Sequence, residues 1–167
     1  MVGWLKDIML VISLALFFVY AFGTQVRMVG QSMSPFLQSE DVVLMDRISY
    51  RFFAPKRFDV LVFDKGDGVL SIKRVIGLPG ETVQIKEGRV YINDTLLDAE
   101  EELSYVPLAG LAEQPVELQE GEYFVLGDNR TGSEDSRFAD VGNVDEEQIQ
   151  GRVWLRIFPL VSLKWIE

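Results

Sequence analysis

The chain of 167 residues contains no cysteine and no histidine. Without cysteine there can be no disulfide, no thiolate metal site and no cysteine nucleophile. Without histidine, the commonest general base and the commonest zinc ligand are both missing. Acid–base chemistry near neutral pH must therefore use a lysine or a carboxyl group with a shifted pKa.

Basic residues are also scarce, since 16 Lys and Arg stand against 26 Asp and Glu, for a net charge of -10. This balance argues against nucleic acid as a partner, because phosphate binding needs a basic face. Between Val90 and Asn129 there are ten acidic residues and no basic one. We interpret the loop-like part, Glu100 to Glu120, as the solvated part of a small insert, because its acids do not follow the calcium-loop pattern of an EF-hand.

One long apolar run is present, from Ile8 to Val26, with 19 uncharged residues. As a helix it is just long enough to cross a bilayer, and Trp4 and Tyr20 suit its two interfaces. The alternative is a cleaved secretory signal, with 21–23 as a small-x-small cleavage site. Lys6 weakly favours a short N-terminal end inside the cell and export of the remainder.

The rest of the chain predicts short strands and turns, and no long amphipathic helix. Residues 87 and 88 join two strands as a predicted hairpin turn. We predict a mainly β protein: an antiparallel sheet domain with a small β-rich insert, preceded by one transmembrane helix. The predicted parts are 1–7 as a cytoplasmic end, 8–26 as the anchor, 27–80 with 123–167 as the catalytic domain, and 81–122 as the insert.

A run of eleven residues, Gly127 to Arg137, has no apolar side chain although apolar strand-like runs flank it. A solvated turn is the usual explanation of such a run. Two unusual residues elsewhere weaken that explanation: Ser32 follows the membrane-length segment, and Lys73 lies inside an apolar strand. A serine, a lysine and a polar support loop are the components of a serine/lysine hydrolase.

Each of the two residues also has an ordinary interpretation. Most loop serines have no catalytic role, and Ser34 is a local rival of Ser32. Lys73 fits an edge strand, where lysine discourages aggregation. If Lys73 is buried instead, desolvation lowers its pKa, and the neutral amine can take the proton of Ser32.

The polar run supplies partners for this pair. Ser133 is the natural hydroxyl to orient the Lys73 amine, and Asp135 and Arg137 are spaced for an ion pair. Arg74, beside Lys73, can meet Asp128 or Asp135. The alternative for each pairing is a surface salt bridge, worth about 0–1 kcal/mol.

Taken together, these segments resemble the bacterial type I signal peptidases. The resemblance covers nearly the whole chain, in order: the apolar anchor, Gly30-x-Ser32-Met33-x-Pro35, the run 59–63, the run 73–80, and the polar run 127–137. Each piece is weak alone, and all of them in this order are highly specific. The absence of histidine separates the chain from the endoplasmic-reticulum branch, and the short insert and single anchor are similar to the compact Gram-positive forms.

The resemblance implies a role for each residue. Ser32 would be the nucleophile, with its backbone amide in the oxyanion hole, and Lys73 the general base. Ser133 would support the lysine, and the site would be held together by Asp128, Asp135, Arg137 and Arg74. Pockets for substrate positions -1 and -3 would involve Met28, Met33, Leu37, Ser71 and Ile72.

The chain departs from the family pattern at three positions. Gly30 stands where some members have a serine that assists the oxyanion hole. Phe58 replaces the usual glycine, and Glu81 the usual aspartate.

The function expected from this resemblance is a membrane-bound serine endopeptidase that removes signal peptides from exported preproteins after small residues at -3 and -1. The expected partners are preprotein signal peptides and membrane lipid, with no nucleic acid, metal or cofactor, and with the catalytic domain on the outer face of the cell membrane. Two alternatives remain: a serine/lysine peptidase dedicated to a narrow substrate, such as a pilin or a conjugation factor, and a non-enzymatic membrane-tethered β module.

Overall fold

A single long helix begins the structure, a computed structural model that describes residues 3–66, 68–98 and 105–166. Helix α1 runs from Gly3 to Phe22, and it is the one helix in these ranges that is long and apolar enough to cross a membrane. It ends four residues before the predicted end of the anchor. The chain continues there as strand β1, Thr24–Arg27, whose backbone groups pair with a second strand.

The end of α1 is attached to the β domain through its last carbonyl groups. The Ala21 oxygen accepts a hydrogen bond from the Arg47 amide at 2.9 Å, and the Phe22 oxygen accepts one from the Trp154 indole at 2.8 Å. The helix end would otherwise leave these carbonyl groups unsatisfied. Its C-terminal end is therefore held close to the sheet.

The main sheet contains eight strands, all antiparallel in their pairing, in the order β1-β2-β11-β3-β4-β9-β10, with β12 beside β11. The strands after β1 are β2 (Val42–Asp46), β3 (Val60–Asp64), β4 (Leu70–Gly77), β9 (Glu122–Leu126), β10 (Val144–Asp145), β11 (Ile149–Phe158) and β12 (Lys164–Trp165). The prediction of a mainly β, antiparallel fold after one helix is confirmed. Strand β4 lies between β3 and β9, so it is an interior strand.

A second sheet of four strands has the order β7-β6-β5-β8, formed by β5 (Thr82–Lys86), β6 (Arg89–Ile92), β7 (Thr95–Leu96) and β8 (Val116–Glu117). The predicted hairpin is present between β5 and β6. Its two turn residues, Glu87 and Gly88, both have positive φ, 51° and 74°. This is the backbone that a tight two-residue hairpin turn requires.

The acidic segment that follows β7 is mostly exposed in its described residues, but three of its apolar side chains attach it to the core. Val106, Ala112 and Leu118 are buried in the same apolar cluster as residues of β4, β5, β6 and β9. The physical reason is that a small sheet buries its inner face only when a neighbouring segment covers it. Residues 99–104 of the segment lie outside the described residues.

Two of the departures from the family pattern find a structural explanation here. Phe58 has a φ of 73°, a backbone that glycine adopts without cost, and its side chain packs against the second-sheet cluster. Glu81 accepts two hydrogen bonds from the Arg57 guanidinium, at 2.6 and 3.0 Å, and a third from the Leu78 amide at 2.8 Å. Its longer side chain therefore has a full set of partners.

Candidate active site

Ser32 lies in the loop between β1 and β2, half-buried, after Gly30 with a φ of 85°. A side chain at position 30 would have open space, so glycine is favoured there by the backbone conformation alone. The amide of Ser32 donates no hydrogen bond within the described residues. It is therefore available to an oxyanion, the role that the resemblance implies for it.

Lys73 lies in the interior strand β4 and is only 5% exposed. Its position excludes the edge-strand interpretation. Its Nζ atom is 3.1 Å from Ser32 Oγ and 3.2 Å from the Ile72 carbonyl oxygen. Burial lowers the pKa of Lys73 from 10.5 to about 8, while the negative charge of Asp135 acts in the opposite direction. A substantial fraction of a lysine with this pKa is neutral slightly above pH 7, as a general base must be.

Asn129 attaches the nucleophile loop to the polar run, a role that the sequence did not indicate. Its amide donates to the Ser32 carbonyl at 3.0 Å, and its side chain donates to the Gln31 carbonyl at 3.1 Å. The two bonds fix the backbone on both sides of the nucleophile's peptide unit. The only signal in the sequence was the position of Asn129 inside the polar run.

The two buried ion pairs of the site are well formed. Arg74 donates to both oxygens of Asp128, at 2.8 and 2.6 Å, which decides between the two partners that the sequence left open. Arg137 donates to both oxygens of Asp135, at 2.7 and 2.9 Å. None of the four side chains is more than 6% exposed, so the explanation as surface salt bridges does not apply.

The Asp135–Arg137 pair also connects three parts of the chain. Asp135 accepts a hydrogen bond from the Gly127 amide at 3.0 Å, and Arg137 donates to the Leu108 carbonyl, in the acidic segment, at 3.1 Å. The polar run, the end of β9 and the acidic segment are thus joined through this pair.

Ser133 is buried beside the pair, but its hydroxyl has no hydrogen-bond partner within the described residues, Lys73 included. A Cβ atom at Gly127 would overlap both Ser133 Oγ and the Ser32 carbonyl oxygen. These two atoms therefore both pack against the backbone of Gly127, where no side chain separates them. The unpaired hydroxyl is therefore close to the backbone of the nucleophile. Its role in orienting the lysine stays a prediction.

Arg130 is a second unpartnered group, also without a role in the sequence-based prediction. It is 6% exposed, and none of its three guanidinium nitrogens has a hydrogen-bond partner in the described part of the chain. Burial lowers the pKa of Arg130 to about 10, although Asp128 and Asp135 oppose this effect. It adds a buried positive charge to a site whose carboxylates are already paired.

Four of the predicted pocket residues are in one apolar cluster: Met28, Met33, Leu37 and Ile72. Ser71 is half-buried at the preceding position of β4. The cluster brings the nucleophile loop against the strand that carries Lys73. Its assignment as a floor for small side chains stays a prediction.

Comparison with known proteins identifies a family for the chain. A family model described as signal peptidase, peptidase S26, matches residues 1–158. Relatives include a probable signal peptidase I-2 of Synechocystis (37% identity; 78% of this chain, 61% of the relative) and the signal peptidase I of Bacillus licheniformis (34% identity; 96% and 90%). The chain thus spans about three fifths of the first relative and most of the second.

Other relatives are of the same kind. The signal peptidase IB of Staphylococcus aureus is 32% identical, with 93% of this chain and 91% of that protein covered. A crystal structure of a signal peptidase I from Enterococcus faecalis aligns with a TM-score of 0.48 at 32% identity, over 60% of this chain and 97% of that one. By the extent of the family match and by these identities, the chain belongs to the signal peptidase family, peptidase S26.

Proposed function

We propose that the protein is a membrane-anchored serine endopeptidase that cleaves signal peptides from exported preproteins after small residues at -3 and -1. The observation that carries this proposal is the 3.1 Å separation of Lys73 Nζ from Ser32 Oγ, with a buried lysine of lowered pKa. The relatives named above support the substrate class by their names. The residues of the chain supply both a nucleophile and a base.

The reaction begins when the neutral Lys73 amine takes the proton of Ser32 Oγ as that oxygen attacks the scissile carbonyl carbon. The Ser32 amide donates to the developing oxyanion. Collapse of the tetrahedral intermediate breaks the carbon–nitrogen bond, and the Lys73 ammonium returns its proton to the leaving amine. Lys73 then removes a proton from water as that water attacks the ester carbon, the bond from this carbon to Ser32 Oγ breaks, and the Lys73 ammonium returns the proton to Oγ.

The buried ion pairs have a positioning role in this proposal. Arg74–Asp128 fixes the strand of Lys73 to the beginning of the polar run, and Asp135–Arg137 fixes the run itself. A misplacement of the catalytic groups by about 1 Å can lower the rate a hundredfold. A rigid support for these groups therefore offsets the free energy needed to bury the ion pairs. Asn129 acts in the same way on the nucleophile.

The test is cleavage of a preprotein with Ala-x-Ala before the scissile bond by the purified protein in detergent. We expect cleavage after the second alanine, no cleavage with Ser32→Ala, and substantial activity with Ser34→Ala, the matched control two residues away. Equal activity of Ser32→Ala and the unaltered protein would refute the proposal. A panel of several preproteins separates a general enzyme from one with a single dedicated substrate.

We also propose that α1 is retained as the anchor, with the β domain on the outer face of the membrane. Because the chain has no cysteine, Ser39→Cys would give a single thiol on an exposed loop. We expect an impermeant maleimide to label it on intact cells, and the intact mass to include the residues before Gly23. Labelling only after detergent treatment would show that the β domain lies on the inner face. A soluble product starting at Thr24 would show that α1 is a cleaved signal.

A further inference from the structure

A pocket of about 420 Å³ is lined by neither Ser32 nor Lys73. Its polar lining comes from two arginines, Arg47 and Arg51, with Tyr50, Glu146 and Gln150. None of these side chains belongs to the catalytic constellation. The pocket is therefore not part of the peptide-cleaving site.

The two arginines are unpaired, unlike most of the arginines near them. Within the described residues the side chains of Arg51 and Arg47 make no hydrogen bond or ion pair, and the Arg47 guanidinium lies over the Tyr20 ring, 5.3 Å from its centroid. The carboxylate of Glu146 lines the same pocket, but no ion pair joins it to either arginine in the described ranges. Both guanidinium groups therefore keep their donors free for an anion.

The pocket lies at the outer end of α1. Tyr20, under the Arg47 guanidinium, is in the last turn of the helix, and the Arg47 amide binds the Ala21 carbonyl. In a helix that spans a bilayer, this turn is at the level of the lipid headgroups. Arg47 is thereby held at the depth of lipid phosphates. Arg51 is the last residue of the short 3₁₀ helix that follows, Ser49–Arg51.

Two phenylalanines extend this surface. Phe52 and Phe53 follow Arg51 directly and are 74% and 70% exposed. Adjacent aromatic rings beside basic residues are typical of segments that insert into the boundary between headgroups and acyl chains. Insertion of the rings would bring Arg51 down to the phosphate level.

We propose that this pocket binds the phosphate of an anionic phospholipid headgroup, with Arg47 and Arg51 as its ligands and Phe52 and Phe53 in the acyl boundary. The inference rests on the proposed role of α1 as the membrane anchor. It adds a lipid site to the proposed peptidase without altering its chemistry.

The test uses the full chain in nanodiscs that contain equal amounts of phosphatidylglycerol and phosphatidylcholine, with the lipids that stay bound on release counted by native mass spectrometry. We expect the unaltered protein to retain phosphatidylglycerol over phosphatidylcholine by about thirtyfold, from a factor of about five for each of the two arginines near an anionic surface. The Arg47→Gln/Arg51→Gln variant should fall to near parity. Arg27→Gln/Arg89→Gln removes the same charge from exposed positions outside the pocket and should keep the preference.

Parity in the unaltered protein, an unchanged preference in Arg47→Gln/Arg51→Gln, or an equal loss in the Arg27→Gln/Arg89→Gln control would each overturn the proposal. A second arm adds inorganic phosphate: displacement of the lipid at millimolar concentration would identify a general anion site instead, whereas retention supports the lipid. Cleavage of a short peptide in detergent should be unaffected by Arg47→Gln/Arg51→Gln, which shows that the variant folds. Because the readouts differ, failure of the lipid site and failure of the proposed peptidase are distinguishable.

Discussion

The Nζ atom of Lys73 lies 3.1 Å from the Oγ atom of Ser32, although 41 positions separate the two residues in the chain. The lysine reaches the serine from an interior strand, and the serine is held by hydrogen bonds to the loop after β9. This relationship is the basis of the first two predictions below.

The rate of cleavage should rise with pH through about 8. The lowered pKa of Lys73 means that its amine is mostly protonated below pH 8 and mostly neutral above it. Only the neutral amine accepts the Ser32 proton, so kcat/KM should increase about tenfold per pH unit on the acidic side and then level off. A plateau already reached near pH 5 would mean that a carboxylate is the base.

Lys73→Met should abolish cleavage and at the same time stabilise the fold at neutral pH. A lysine pKa lowered in the folded state costs stability below pH 8, up to about 3 kcal/mol. This cost disappears as the pH rises towards 10.5, the ordinary value. Thermal unfolding in detergent should give a higher Tm for the variant at pH 6 and a smaller difference at pH 10. A lower Tm for the variant at pH 6 would contradict the buried, partly neutral lysine.

Ser133→Ala should lower kcat by about tenfold or more, even at pH 10, where Lys73 is already neutral. The role proposed for the buried, unpaired Ser133 hydroxyl is to orient the neutral amine and not to set its charge, so the loss should persist at high pH. Ser136→Ala is the matched control, because Ser136 Oγ accepts only from the buried Val125 amide, at 2.9 Å. We expect the control to cost stability and to leave kcat nearly unchanged. Full activity of Ser133→Ala at every pH would remove Ser133 from the site.

Asp135→Asn should destabilise the fold by about 3–5 kcal/mol, because it leaves the buried Arg137 without its counter-charge. Glu40→Gln, which breaks the exposed Arg27–Glu40 pair, should cost at most about 1 kcal/mol. Denaturant unfolding measures both. If Asp135→Asn retains enough fold to be assayed, its pH–rate profile should move to lower pH, since the Asp135 charge raises the pKa of Lys73. Similar stability losses in the two variants would show that the burial of the pair has no energetic consequence.

Specificity at substrate position -1 should follow side-chain size. Met33 and Ile72 are buried in one packed cluster, which leaves little room for a larger group if they form the pocket floor. Replacing Ala by Leu at -1 should reduce kcat/KM by about a hundredfold or more, through displacement of the scissile carbonyl. Ile72→Ala should recover part of the loss for the Leu substrate. Equal rates for Ala and Leu in the unaltered protein would reject the pocket assignment.

Several features could be predicted from local patterns in the sequence. The apolar run predicted α1 because nineteen uncharged residues favour a helix in lipid, and residues 87 and 88 predicted the hairpin turn because glycine tolerates positive φ. The resemblance assigned candidate roles to Ser32 and Lys73. The end of α1, at Phe22, could not be predicted, because the competing strand β1 depends on its partner β2.

Other features depended on long-range contacts. The sequence left Arg74 with two possible partners, and the register of β4 against β9 brings it to Asp128. The roles of Asn129 and of the unpaired Arg130 were missed, because nothing in their residue types indicates which carbonyls lie nearby or which charges are already paired. The acidic segment was interpreted as solvated, since its buried side chains are few and far apart in sequence.

The sequence by itself determined which chemistry is excluded: with no cysteine the nucleophile cannot be a thiol, and with no histidine the base has to be a lysine or a carboxyl group with a shifted pKa. It also determined the alternation of short strands and the length of the apolar helix, because both follow from neighbouring residues. Only the tertiary structure decided that Lys73 lies on an interior strand, loses its water and meets Ser32. Desolvation and proximity are properties of the packed sheet, and they convert an ordinary lysine into one with a pKa of about 8.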